Sequence, residues 1–177
     1  MGLDYVNKTV DKSNILCGGT VEVTLSLTAS PNITENPTDI VLVLDRSGSM
    51  AGEAMDNLKK GANAFIDIIV KATGGTNEIE NGSRIGIVSF ADSAVQNTGL
   101  ITSAVDLKNA VNALTAGGST NHADAFEKAA ALLNSQANGN AKVMVMFTDG
   151  RTTAGADPSA AAQAAKAQGI VIYCIGL

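Results

Sequence analysis

The sequence predicts an α/β fold: a doubly wound, mostly parallel sheet with helices on both faces, preceded by a short N-terminal β appendage. Three observations carry that expectation. Four short apolar runs are continuous rather than alternating, as expected of strands covered on both faces. Segments with apolar residues three and four positions apart lie between them. A Pro-containing connector also separates the first of these runs from an earlier strand of different character.

That earlier strand is Thr20 to Thr28, TVEVTLSLT, where Val21, Val23, Leu25 and Leu27 alternate with polar residues and so line one face of a half-exposed strand. The following SPNITENPT is rich in turn formers, and residues 1–37 therefore read as a separate β appendage, in which CGGTVEVTLSLTASP resembles the first strands of small β-sandwich modules. Residues 38–177 form the main domain. Its expected strands are Asp39 to Leu44, Ile85 to Phe90, Val143 to Phe147 and Ile170 to Ile175.

The first expected helix places Met55, Leu58, Ala62, Phe65 and Ile69 on one stripe and ends before Gly74 and Gly75. A second begins at Ser103, with Asp106 three residues on, and carries Val105, Ala110, Val111 and Leu114. The third carries Ala123, Phe126, Ala130 and Leu133. The fourth has Asp157 as N-cap, Pro158 at the first helical position and Gly169 as its stop.

Composition narrows the function classes. A net charge of −5 without clustered Lys and Arg disfavours nucleic acid as a partner. No apolar run approaches the roughly 20 residues that cross a bilayer, so no membrane span is expected in this chain. The start, MGLDYVNKTVDKS, lacks a signal-peptide apolar stretch, and the chain reads as a piece of a longer protein. Cys17 and Cys174 form no metal-ligand spacing, which leaves a long-loop disulfide or two buried thiols as alternatives. The triplets beginning at Asn7, Asn32 and Asn81 fit the N-x-S/T pattern but arise readily in a chain rich in Asn, Ser and Thr.

In an open parallel sheet, ligands bind beyond the carboxyl ends of the strands, where the strand order reverses. Two loops qualify: Asp45-Arg46-Ser47-Gly48-Ser49-Met50 and Thr148-Asp149-Gly150-Arg151. In the first, Asp45, Ser47 and Ser49 stand two apart while Gly48 lets the backbone bend, so short oxygen side chains can converge. Compact oxygen donors suit hard cations such as Mg²⁺. In the second, Asp149 ends its strand, and two carboxylates at one sheet edge repel unless a cation lies between them. Taken singly, such residues are also ordinary turn formers and caps. The ordered set of DxSxS, then Gly117-Gly118-Ser119-Thr120-Asn121, then TDG is more specific.

With those three motifs, the stretch from Thr38 to Leu177 resembles a von Willebrand factor A domain, the module shared by integrin inserted domains, matrix proteins and bacterial surface adhesins. The resemblance implies a metal-ion-dependent adhesion site of Asp45, Ser47, Ser49, Thr120 and Asp149. It implies direct coordination by the serine hydroxyls, with threonine and the aspartates bound directly or through water. The cofactor implied is Mg²⁺, or Mn²⁺ or Ca²⁺, and the partner a protein whose Glu or Asp completes the metal's shell. Arg46, Met50, Asn121, His122 and Arg151 fall on the expected partner-binding rim. His122 stands where family members often carry a second Thr, and three readings stay open for it: a packing residue, a contributor to recognition, or a metal ligand or base.

Enzyme readings each lack their central residue. Neither GxxxxGK[ST] nor GxGxxG is present, and GSMAG puts Met50 where a hydrolase of the GxSxG type has its serine. Ser47 occupies the position where an aspartyl phosphotransferase needs a second acid. The resemblance then implies a monomeric, non-enzymatic binding module at a bacterial cell surface or outside the cell. The alternative is a cytoplasmic assembly module docking a partner subunit of a chelatase or AAA-type machine. The family usually closes with another helix after the final strand, so the resemblance implies that this helix is missing after IVIYCIGL, leaving an exposed apolar groove.

Overall fold

The computed structural model describes residues 36–136 and 138–176, together with the backbone of strands β1 (Tyr5–Val10) and β2 (Val23–Thr28). The chain divides into two compact units, residues 1–32 and 33–177. In the first, β1 and β2 pair antiparallel from Tyr5 opposite Thr28 to Val10 opposite Val23. The half-exposed strand expected at 20–28 is thus one arm of a hairpin over its last six residues. Cys17 lies outside the described residues, whereas Cys174 carries an exposed free thiol, not a buried one.

The second unit runs β3 (Thr38–Asp45), a 3-10 turn (Gly48–Met50), α1 (Glu53–Ala72), β4 (Arg84–Phe90), β5 (Ala94–Gln96), α2 (Ala104–Asn112), α3 (His122–Asn134), β6 (Ala141–Thr148), α4 (Pro158–Ala167) and β7 (Ile170–Gly176). The sheet order is β5-β4-β3-β6-β7. β3 pairs in parallel with both β4 and β6, and β7 in parallel with β6. Only β5 is antiparallel, joined to β4 from Phe90 opposite Ala94 to Val88 opposite Gln96. The chain moves from β3 to one side, then returns across it to β6. The strand order therefore reverses at β3, which opens a crevice beyond its carboxyl end.

β3 shows why the continuous apolar run was informative. Ile40, Leu42 and Leu44 face a core with Leu58, Ala62 and Ile66 of α1 and Leu107 and Val111 of α2. Val41 and Val43 face the other core, with Ala125, Phe126, Ala129 and Leu133 of α3 and Ala165 of α4. All five strand side chains are at most 3% exposed, so the parallel centre of the sheet has no solvated face.

The helices obey their punctuation. Ser103 accepts the Asp106 amide at 3.3 Å, and Asp157 Oδ1 accepts the Ser159 amide at 2.9 Å ahead of α4. In α2 the stripe is shifted from expectation: Ala104, Leu107 and Val111 are buried, while Val105 is 56% exposed. In α1, Ile66 is fully buried and Phe65 only partly so. Along β7, Val171, Tyr173 and Ile175 alternate onto one face and remain exposed.

Candidate metal centre

At the carboxyl end of β3 the chain turns through Asp45, whose carboxylate is fully buried. A buried carboxylate must be hydrogen-bonded. Asp45 Oδ1 accepts the Ser47 amide at 2.8 Å, bending the loop back on itself, and Oδ2 accepts the Thr148 hydroxyl at 2.6 Å from the end of β6. The 3-10 turn then presents Ser49 outward. The Ser47 and Ser49 hydroxyls are hydrogen-bonded at 3.2 Å, and Ser49 Oγ donates to Asp149 Oδ1 at 3.0 Å. Asp45, Ser47, Ser49 and Asp149 are thus gathered at the crevice from two loops about a hundred residues apart in sequence.

Thr120 reaches the same edge by backbone tethers. Gly48 N donates to Gly118 O at 2.9 Å and Gly117 N to Arg46 O at 2.8 Å, which locks the Gly-rich loop against the loop after β3. On the other side, Thr120 N donates to Thr153 Oγ1 at 2.9 Å, while Thr120 O accepts the Thr153 and Ala154 amides. Thr120 is 5% exposed. Asp92, between β4 and β5, braces this loop by accepting the Ser119 amide at 2.9 Å. That hydrogen bond, with the Arg46 guanidinium adding attraction, holds the Asp92 carboxyl below its ordinary range.

The residues expected on the rim divide. Arg151 is exposed, and Arg46 is half-buried beside a shallow cavity of about 230 Å³ that it lines with Ser89, Asn97 and Thr115. Asn121 is half-buried and serves as the N-cap of α3, accepting the Asp124 amide at 3.2 Å. Met50 is not on the rim. It is fully buried in the core with Leu44, Met55 and Leu58, because the 3-10 turn points it inward. His122 is also below the surface, 7% exposed. Its ring packs on Phe90 at a centroid distance of 5.1 Å, with Nδ1 2.8 Å from Thr152 Oγ1 and Nε2 3.2 Å from Thr148 Oγ1. Burial lowers its pKa against the opposing pull of Asp45 and favours the neutral ring.

Among the described residues, no three His, Cys, Asp or Glu side chains come together as a metal cluster. The donors here are two carboxylates and hydroxyls, all hard oxygens, a chemistry that fits Mg²⁺, Mn²⁺ or Ca²⁺ better than soft-ligand metals. Thr152, Thr153 and Asp92 stand in no motif that the sequence displays. Thr148, inside the TDG motif, carries a local signal.

The sequence profile of the von Willebrand factor type A domain matches residues 39–177. No curated protein sequence matches the chain significantly. Among solved structures, it is similar to the pilus adhesin SpaC from Lactobacillus rhamnosus GG, with 19% identity and a TM-score of 0.65 over 97% of this chain and 28% of that one. The von Willebrand domain of the type V pili tip protein Mfa5 from Porphyromonas gingivalis matches at 20% identity and TM-score 0.60, covering 66% and 39% of the two chains. Proximal thread matrix protein 1 from the mussel byssus, in a structure with zinc in its MIDAS motif, is 27% identical with TM-score 0.64 over 80% and 36%. The chain thus spans well under half the length of these three proteins. With 139 consecutive residues matched by the profile, the chain belongs to the von Willebrand factor type A domain family.

Proposed function

We propose that residues 38–177 form a divalent-metal-dependent protein-binding module, an adhesion domain of a bacterial surface or pilus-type protein, with residues 1–37 as a separate β appendage. The observation that carries this reading is the hydrogen-bonded chain Asp45–Ser47–Ser49–Asp149, linked through the Ser47 amide and then through the two serine hydroxyls, built from two loops at the strand-order reversal, buried at Asp45 and exposed at Ser49 and Asp149. Ser47, Ser49 and Thr120 offer hydroxyls and Asp45 and Asp149 carboxylates. Bound there, Mg²⁺ or Mn²⁺ supplies a positive centre that attracts an external carboxylate.

The chain's own residues do the remainder. Ser47 N and Thr148 hold Asp45 in the floor of the crevice, and the glycine contact between Gly48 and Gly118 keeps the Thr120 loop close. Exposed Arg151, two residues after Asp149, adds positive charge that favours an acidic partner. The pilus and surface-adhesin relatives support an extracellular setting, and no helix among the described residues is long and apolar enough to cross a membrane.

Calorimetric titration with Mg²⁺ and Mn²⁺ tests the site, and a panel of Glu- and Asp-containing peptides tests recognition. Metal should bind and raise the melting temperature, EDTA should reverse both, and Asp149→Ala should behave as the chelated protein does. Peptide binding should require metal. Binding indifferent to EDTA, or no response to either cation, would overturn the reading.

A further inference from the structure

His122 is a titratable side chain buried where three segments meet. Its ring lies on Phe90 at the end of β4, its Nδ1 meets Thr152 after β6, and its Nε2 meets Thr148, the residue that binds Asp45. Counting protons fixes the direction of this chain. Thr148 has one hydroxyl hydrogen, and its Oγ1 donates it to Asp45 Oδ2 at 2.6 Å. The Gly150 amide donates to the same hydroxyl oxygen at 3.2 Å. With its single hydrogen committed, Thr148 can only accept from the imidazole, and Nε2 must carry a proton.

We propose that His122 is a positioning residue of the metal centre: its Nε2–H donates to Thr148 Oγ1, which points the Thr148 hydroxyl at Asp45 Oδ2 and fixes the carboxylate. The neutral ring then has an unprotonated Nδ1 that accepts from Thr152 Oγ1, tying the loop after Asp149 to α3. Both oxygens of Asp45 are held by donors, Ser47 N on one and Thr148 on the other, so the carboxylate cannot swing. Partners that orient a ligand in this way typically change metal affinity about 10- to 100-fold when removed. The side chain occupying the position two after Thr120 therefore acts on the metal through Thr148 and not through contact with the ion or with a partner.

This inference rests on the metal-binding reading, and two measurements separate the failure of one from that of the other. The first uses metal-free protein at neutral pH: long-range ¹H–¹⁵N correlation of the single imidazole should show a protonated Nε2 and an Nδ1 without hydrogen. An Nε2 lacking its proton would overturn the proposal whatever the metal does.

The second is Mg²⁺ affinity by calorimetry on folded variants. His122→Phe should raise Kd about tenfold or more, and His122→Gln, whose amide can reach Thr148 as a donor, should restore most of the loss. Thr148→Val should match His122→Phe, and combining the two should add little, as expected of residues acting in one chain. Additive losses, a Gln variant as poor as Phe, or His122→Phe at wild-type affinity would overturn the positioning role. Wild-type protein that binds neither Mg²⁺ nor Mn²⁺ would overturn that role together with the metal reading, while the Nε2 proton would still be decided by the first measurement.

Discussion

Arg84 grips Asp39 through both carboxylate oxygens, Nε to Oδ1 at 3.0 Å and Nη2 to Oδ2 at 2.8 Å, at the opposite end of β3 from Asp45. Asp39 is fully buried and also accepts Asn138 Nδ2 and Asn140 Nδ2, each at 3.0 Å. The cluster binds the start of β3 to β4 and to the turn before β6, and so helps fix the register that delivers Asp45 to the crevice. Arg84→Met leaves Asp39 buried without its cation, a change that typically costs about 3–5 kcal/mol. The two asparagines remain as donors, so the lower end of that range is expected from urea denaturation.

The same cluster sets an acid limit. Burial alone would raise the pKa of Asp39, but the hydrogen bonds from Arg84, Asn138 and Asn140 outweigh it and hold the carboxyl below its ordinary value. A depressed folded pKa means that the unfolded chain takes up the proton first. The contribution to stability is then complete above about pH 4, near the unfolded carboxyl value, and is lost as pH falls through the folded one. Urea midpoints measured from about pH 5 downward should fall in the wild type. In Asp39→Asn that component of the slope should be absent, and an unchanged slope would refute the assignment.

Placed beside Ser49, Met50 resembles a residue offered to a partner, but it is fully buried among Leu44, Met55 and Leu58. Met50→Ala should therefore cost about 2–5 kcal/mol and Met50→Leu under about 1.5 kcal/mol by chemical denaturation. Mg²⁺ affinity of the folded fraction should stay near wild type. A change in stability within about 0.5 kcal/mol for the alanine variant would match an exposed position instead.

What the sequence made legible was what repeats or is punctuated. Continuous apolar runs gave the four parallel strands within a residue or two at most ends, and Asp157-Pro158 gave the start of α4 because each residue type has one favoured place there. β5, three residues long and antiparallel, has no periodicity to detect. Val105 lies outside the buried stripe of α2 because a short helix with Ala and Val on several faces admits more than one phase. At the crevice, the DxSxS and TDG spacings point to residues that the fold joins by hydrogen bonds. The burial of Met50 and His122 depends on which way a 3-10 turn and a helix start face, a tertiary property. The link from His122 through Thr148 to Asp45 joins three segments far apart in sequence, which no local pattern encodes.

Gly48 and Gly118 supply the last test, because the loops of Ser47 and Thr120 touch there backbone to backbone. Gly48 N donates to Gly118 O at 2.9 Å, and a side chain at Gly48 would bring its Cβ to 3.3 Å from that oxygen. Gly118 has φ +85°, and a Cβ there would lie 2.4 Å from Asp92 Oδ2. Gly118→Ala thus meets a left-handed backbone penalty of about 1–2 kcal/mol and also displaces the carboxylate that accepts the Ser119 amide. The loop carrying Thr120 should shift away from Ser47, with melting temperature lowered and Mg²⁺ binding weakened together. Gly117→Ala is the control, since its φ is not positive and nothing lies within 4 Å of a Cβ built there. Equal effects at both glycines would mean that loop flexibility matters in general. Loss confined to Gly118 would tie metal affinity to this one close approach.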